Sequence, residues 1–269
     1  MNLNLTSVRA KLARSQEHAQ AVYNETRSWI DRHPYNITQH VNADSTRYSL
    51  VLRENEPASF QRWTLMIADC LNNLRSSLDY LVYAIAIAES GSNPPPNEGR
   101  LQFPIADCRA DFDEAVRTKR LFGISDPVRA AVESMQPYNR PHPTLPPLLR
   151  ILRELNNADK HRLLRLAYGA VSEGDLGFVG AHPADGRSWQ AVPNAGEVKD
   201  GTEVFAMVCD RPTPDMHWDR MIIEIVVAIW HGKRDPSGPE FSSHTEVGAL
   251  FSALSEEVRT VIYTFSKIV

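Results

Sequence analysis

Leu148 to Leu166 reads LLRILRELNNADKHRLLRL, and it carries the clearest helical period in the middle of the chain. At about 100° per residue, Leu148, Ile151, Leu152, Leu155, Ala158, Leu163 and Leu166 share one face. Asp159 and Arg162 project close to the centre of that face. An ion pair is costly to bury unless each member is satisfied. Arg153, Asn157 and His161 make a second stripe, two i,i+4 steps long, on the opposite side. The spacing predicts a helix over 146–167 with a charged pair in its core face and an Arg-Asn-His row outside.

Other helices follow the same logic. A loose apolar stripe (Val8, Leu12, Ala19, Val22, Ile30) predicts a helix over 6–31, ended by His33-Pro34. Phe60, Trp63, Ile67, Leu71, Leu74, Leu78, Leu81, Val82 and Ile85 predict a long helix over 59–90. Asn72, Arg75 and Asp79 lie along its flank, with Arg75 and Asp79 within i,i+4 reach. Residues 109–135 read as two short helices split at Gly123–Pro127. A clean stripe from Val247 to Ile268 predicts a C-terminal helix over 243–268, with Ser243 and Glu246 in capping-box spacing.

Between the third and fourth of the long helices the grammar changes. Turn residues recur, and between them lie Leu176–Ala181, Ser188–Val192, Glu203–Cys209 and Arg220–Trp230, which read as antiparallel strands. An earlier strand is read over Thr46–Arg53, where Tyr48, Leu50 and Leu52 alternate with polar positions. The expected architecture is one α+β domain over 1–269. It comprises a helical bundle, 1–168 and 242–269, with a β-rich insertion over 169–241.

Composition sets the outer limits. The chain of 269 residues has 42% hydrophobic and 23% charged residues, the balance of an ordinary globular protein. Its net charge of −4 gives no whole-chain argument for nucleic acid, although a local basic patch would suffice. Three dispersed cysteines (Cys70, Cys108, Cys209) suggest a reducing compartment and no Cys-based zinc site. The N-terminus lacks an apolar signal region, and the longest apolar runs are too short to span a bilayer. The expectation is a cytoplasmic protein without metal, cofactor or membrane association.

Phosphate-binding loops, dinucleotide fingerprints, H-E-x-x-H and G-x-S-x-G are absent from the sequence. The groups left for chemistry are those of the 148–166 helix. In a structural role, Asp159 and Arg162 form an interior network with Arg75 or Asp79, with Asn72 beside it, and every member must be satisfied. In a functional role, His161 shuttles protons near neutral pH and Arg153 stabilises charge on a phosphorane. Together with Asn157 they would suit metal-independent RNA cleavage, in which the 2′-hydroxyl attacks the adjacent phosphate.

The phrases NNLRSSLDYLVYAIA (72–86) and LRELNNADKHRLL (152–164), on a helical chain, resemble the HEPN superfamily. Those proteins are helical bundles of prokaryotic toxins, phage-defence systems and RNA-processing enzymes. The resemblance implies a HEPN-like bundle and a composite ribonuclease site formed by a homodimer, with Arg153 and His161 as its catalytic pair and Asn157 as a polar aid. It implies RNA as substrate and a protein partner such as an antitoxin. Seven residues separate Arg153 from His161, more than the family motif has, and Glu154 follows the arginine. A non-catalytic interaction or ligand-binding protein on the same bundle is therefore the alternative reading.

Overall fold

A computed structural model describes residues 3–140, 147–161, 164, 166–168, 177–183, 188–193, 198–213, 216–222, 227–230 and 244–268. The chain forms two compact units. Met1–Tyr23, Gln61–Leu164 and Gly248–Val269 make the first, and Asn24–Phe60 and Arg165–Val247 the second.

The first unit is helical. It holds most of α1 (Thr6–Asp31), nearly all of α2 (Phe60–Ser90), then α3 (Arg109–Arg117), α4 (Asp126–Ser134), α5 (Leu148–His161) and α6 (Val247–Ile268). The apolar stripe of α2 is buried from Trp63 to Ile85, including Leu71, Leu74 and Leu78. Leu155 of α5 and Leu254 and Val258 of α6 are buried in the same unit. Side chains of this kind each contribute roughly 1.5–3 kcal/mol on full burial. Gly91, at φ 66°, ends α2 in the left-handed conformation, and its N–H donates to Ile87 O at 2.9 Å. Glu89 then starts α4 by accepting hydrogen bonds from the N–H (2.6 Å) and hydroxyl (2.5 Å) of Ser125. The two short helices predicted over 109–135 are α3 and α4, separated by residues 118–125, so the gap opens before the predicted split at Gly123–Pro127 and Pro127 lies in the first turn of α4.

The second unit carries the sheets, all antiparallel. The largest has the order β1-β2-β6-β5, from β1 (Tyr35–Val41), β2 (Arg47–Glu54), β5 (Trp189–Pro193) and β6 (Glu203–Cys209). In β2, Tyr48, Leu50 and Leu52 are buried, as the alternation predicts. Central β6 is buried on both faces through Val204, Phe205, Ala206 and Met207, which explains its unbroken apolar run. β3 (Leu166–Tyr168), β8 (Val227–Trp230) and β9 (His244–Glu246) form a second sheet, and β4 (Gly177–Pro183) pairs with β7 (Met216–Ile222).

The α+β class is as expected. Several boundaries are corrected. Leu166–Tyr168 is a strand paired with Val227–Ile229, so the predicted helix to 167 runs too far; strand pairing overrides the continuing apolar period there. The single strand predicted over Arg220–Trp230 is shared between β7 and β8, in different sheets. Glu246 pairs with Ala228 in β9 directly before α6, so the helix begins at Val247, and Ser243 of the predicted cap lies outside the described residues. β1 was not anticipated: its mixed exposure leaves no clear alternation to detect. The hairpin β1–β2 belongs with the β-rich unit rather than with the helices.

Candidate functional site: an arginine-held segment

Among the described residues of the helical unit, a cluster of buried and part-buried polar contacts surrounds residues 101–107, LQFPIAD. This stretch has no regular secondary structure, yet Phe103, Pro104, Ile105 and Ala106 are buried. Buried backbone N–H and C=O groups need partners. Here the partners come largely from helix side chains. The Phe103 N–H donates to Asp79 Oδ1 at 2.9 Å, and Arg75 Nη2 donates to Phe103 O at 2.6 Å. Arg75 Nη2 also lies 2.9 Å from Asp79 Oδ1. Two residues one turn apart on α2 thus offer Phe103 one acceptor and one donor, as a neighbouring strand would.

The next carbonyl of the same parity is held in the same way: Arg153 Nη1 of α5 donates to Ile105 O at 3.1 Å. Even-numbered residues bond elsewhere. The Gln102 N–H donates to Arg120 O at 3.0 Å, and the Ala106 N–H donates to Gln136 Oε1 at 2.8 Å. Gln136 is itself fully buried, and its Nε2 donates to Val132 O at 2.9 Å. Pro104 has no N–H to satisfy. At the end of the segment, Asp107 accepts from Arg150 Nε and Arg153 Nη2, each at 2.7 Å.

The electrostatics of the two ends differ. Burial pulls the Arg75 guanidinium below its ordinary range; Asp79 opposes this, and the like charges of Arg120 and Arg153 add to it. Burial raises the Asp107 carboxyl, but hydrogen bonds from Arg153 and Arg150 outweigh it and leave the group below its ordinary value.

The sequence-predicted residues fall into three sets. Arg75, Asp79 and Arg153 meet on the segment; the expected i,i+4 pair of Arg75 and Asp79 forms, with Arg75 buried and Asp79 partly exposed, and it also anchors Phe103. Arg153 is not on an outer face: its side chain is 26% exposed, both terminal nitrogens are bonded, and Glu154 Oε1 lies 3.7 Å away. The face of α5 that turns inward is broader than the leucine stripe, because Leu149 and Asn156 are buried as well. Asn72 and Asn157 are exposed, and Asp159 is half-buried. His161 closes α5, but its side chain lies outside what is described, as does the whole of Arg162.

Sequence reasoning missed Asp107, Arg150, Gln136 and the segment itself. One signal was present: a short apolar run, QFPIA, standing outside any helical or strand period, must find its backbone partners among side chains. Among the described residues, no group of histidine, cysteine or carboxylate side chains could hold a metal ion, and no helix is long and apolar enough to cross a membrane. Comparison with protein-family models, curated proteins and solved structures gives no match to this chain.

Proposed function

We propose that the chain is a non-catalytic ligand-binding or interaction protein built on a HEPN-like helical bundle. One observation carries this reading: Arg153, the arginine that would stabilise a phosphorane, is already committed to Ile105 O and Asp107. To reach a scissile phosphate this guanidinium would have to give up both its part-buried carbonyl contact and its carboxylate. Glu154 beside it adds negative charge where an RNA backbone would have to approach.

A second reading remains, and a specific feature favours it. α5 carries Arg153, the exposed Asn157 and His161 at successive i,i+4 positions, the row that Arg/His cleavage of RNA would use. On this reading the protein is a metal-independent endoribonuclease of defence or toxin–antitoxin biology, acting in the cytoplasm. A second copy of the chain would cover the row, because such catalysis gains most where water is excluded and groups are fixed.

Total RNA incubated with the purified protein and a chelator separates the two, with His161→Ala run alongside. The binding reading expects intact RNA with both proteins. Chelator-resistant cleavage that disappears in His161→Ala would overturn it and establish the nuclease.

A further inference from the structure

Among the described residues, one buried side-chain polar atom has no hydrogen-bond partner: Nη1 of Arg75. Leaving a buried donor unmade is unfavourable, and a buried cation makes it more so. The other terminal nitrogen carries the contacts to Asp79 and Phe103 O, so Nη1 takes no part in the contacts that anchor the residue.

The charges around it do not balance. Arg75, Arg150 and Arg153 bond to residues 103–107 and the like charge of Arg120 reaches Arg75, against Asp79, Asp107 and the more distant Glu154. Arg120 is exposed, and its guanidinium has no hydrogen bond or ion pair among the described residues. Its backbone is nonetheless fixed, because its carbonyl holds the Gln102 N–H, one residue from the carbonyl that Arg75 holds. Like charges have therefore been brought together with a spare buried donor and a spare exposed fork.

We propose that Arg75 and Arg120 bind a compact oxyanion of the phosphate class, either inorganic phosphate or a phosphomonoester, with Arg153 adding its charge from two residues further along the segment. This rests on the binding-protein reading and names the chemistry of its ligand. A tetrahedral oxyanion accepts from forks in several directions at once, which suits guanidiniums arriving from two different segments. It supplies the acceptor that Nη1 lacks and offsets the excess positive charge. Nη1 is closed to solvent, so an entering group must displace a neighbouring side chain. Arg120 is exposed and has no side-chain partner among the described residues, and it can close over the anion from outside.

The test uses the full-length protein in calorimetric titration and thermal unfolding. Inorganic phosphate and glycerol phosphate are the two probes, with chloride at matched ionic strength as reference. The melting temperature should rise with one or both phosphates above the chloride control, and the tighter binder distinguishes a free ion from an esterified one. Arg120→Ala, a surface change that leaves the buried contacts intact, should weaken binding by about tenfold. Arg75→Lys, which keeps the charge and removes the fork, should weaken it at least as much. Arg117→Ala, which removes an exposed arginine paired with Glu114, should bind like the parent. No response beyond chloride, or an Arg120→Ala titration that matches the parent, would mean that Nη1 is met by a water and would overturn the proposal. RNA cleavage lost in His161→Ala would sink the binding-protein reading by a separate readout, whatever the phosphate titration gives.

Discussion

Arg75 and Arg153 hold the same short segment from two helices, under different conditions. The side chain of Arg75 is 11% exposed; it has one carboxylate partner, and one of its nitrogens is unmet. Arg153 is 26% exposed, with a carbonyl and a carboxylate on separate nitrogens, and its carboxylate is shared with Arg150. The buried end depends on a single ion pair whose loss would leave a charge stranded. The outer end is redundant, because Arg150 and Arg153 share Asp107, and its carboxylate is 37% exposed against 29% for Asp79. Equal numbers of hydrogen bonds therefore should not mean equal contributions to stability.

The largest expected effect breaks the buried end. Asp79→Ala removes the partner of a buried arginine and the acceptor for the Phe103 N–H together. It should cost about 3–5 kcal/mol in urea unfolding, the range for a buried pair that loses one member. Asp79→Asn, which retains an acceptor, should cost less; parity between the two would show that the charge is immaterial. Gln136→Leu comes next. It strands the buried Ala106 N–H and should cost about 1–3 kcal/mol by the same measurement.

Arg153→Ala should cost about 1 kcal/mol, because its contacts are part-buried and Arg150 still holds Asp107. A loss as large as that of Asp79→Ala would erase the proposed difference between the ends. The outer end should also respond to acid. The Asp107 carboxyl is held below its ordinary value in the folded chain, so its contribution is present above the unfolded pKa of roughly 3.9. That contribution is lost as pH falls through the lower folded value. Asp107→Asn should therefore flatten the stability profile below about pH 4, read by unfolding at fixed denaturant across pH. The smallest effect belongs to Asn157→Ala, exposed and on the same helix, which should stay within about 0.5 kcal/mol of the parent.

The helices were legible because their cores are made of long apolar stripes, and Leu71, Leu74, Leu78, Leu155, Leu254 and Val258 are all buried. The strand ends near Leu166 and Glu246 were not, because short strands are set by their partners across the sheet rather than by their own period. The site was half legible. Arg75 and Asp79 could be paired from i,i+4 spacing, but the spacing does not say that the pair faces inward. Arg153 was assigned to an outer stripe because the leucine period places it there. The structure gives it to Ile105 O instead, since a buried irregular segment draws in polar side chains that an amphipathic pattern would leave in water. Nothing local to Asp107 announces that two arginines forty or more residues later will share it.

The central claim is that Arg153 is a structural clamp, and a double-mutant cycle between Arg153 and Asp107 tests it most directly. Arg153→Ala, Asp107→Ala and the double variant are each unfolded in urea at pH 7. The account predicts a favourable coupling of about 1 kcal/mol, within the range for residues in direct contact. Additive single effects, with no coupling beyond error, would show that Arg153 is not held by Asp107 and would free it for chemistry.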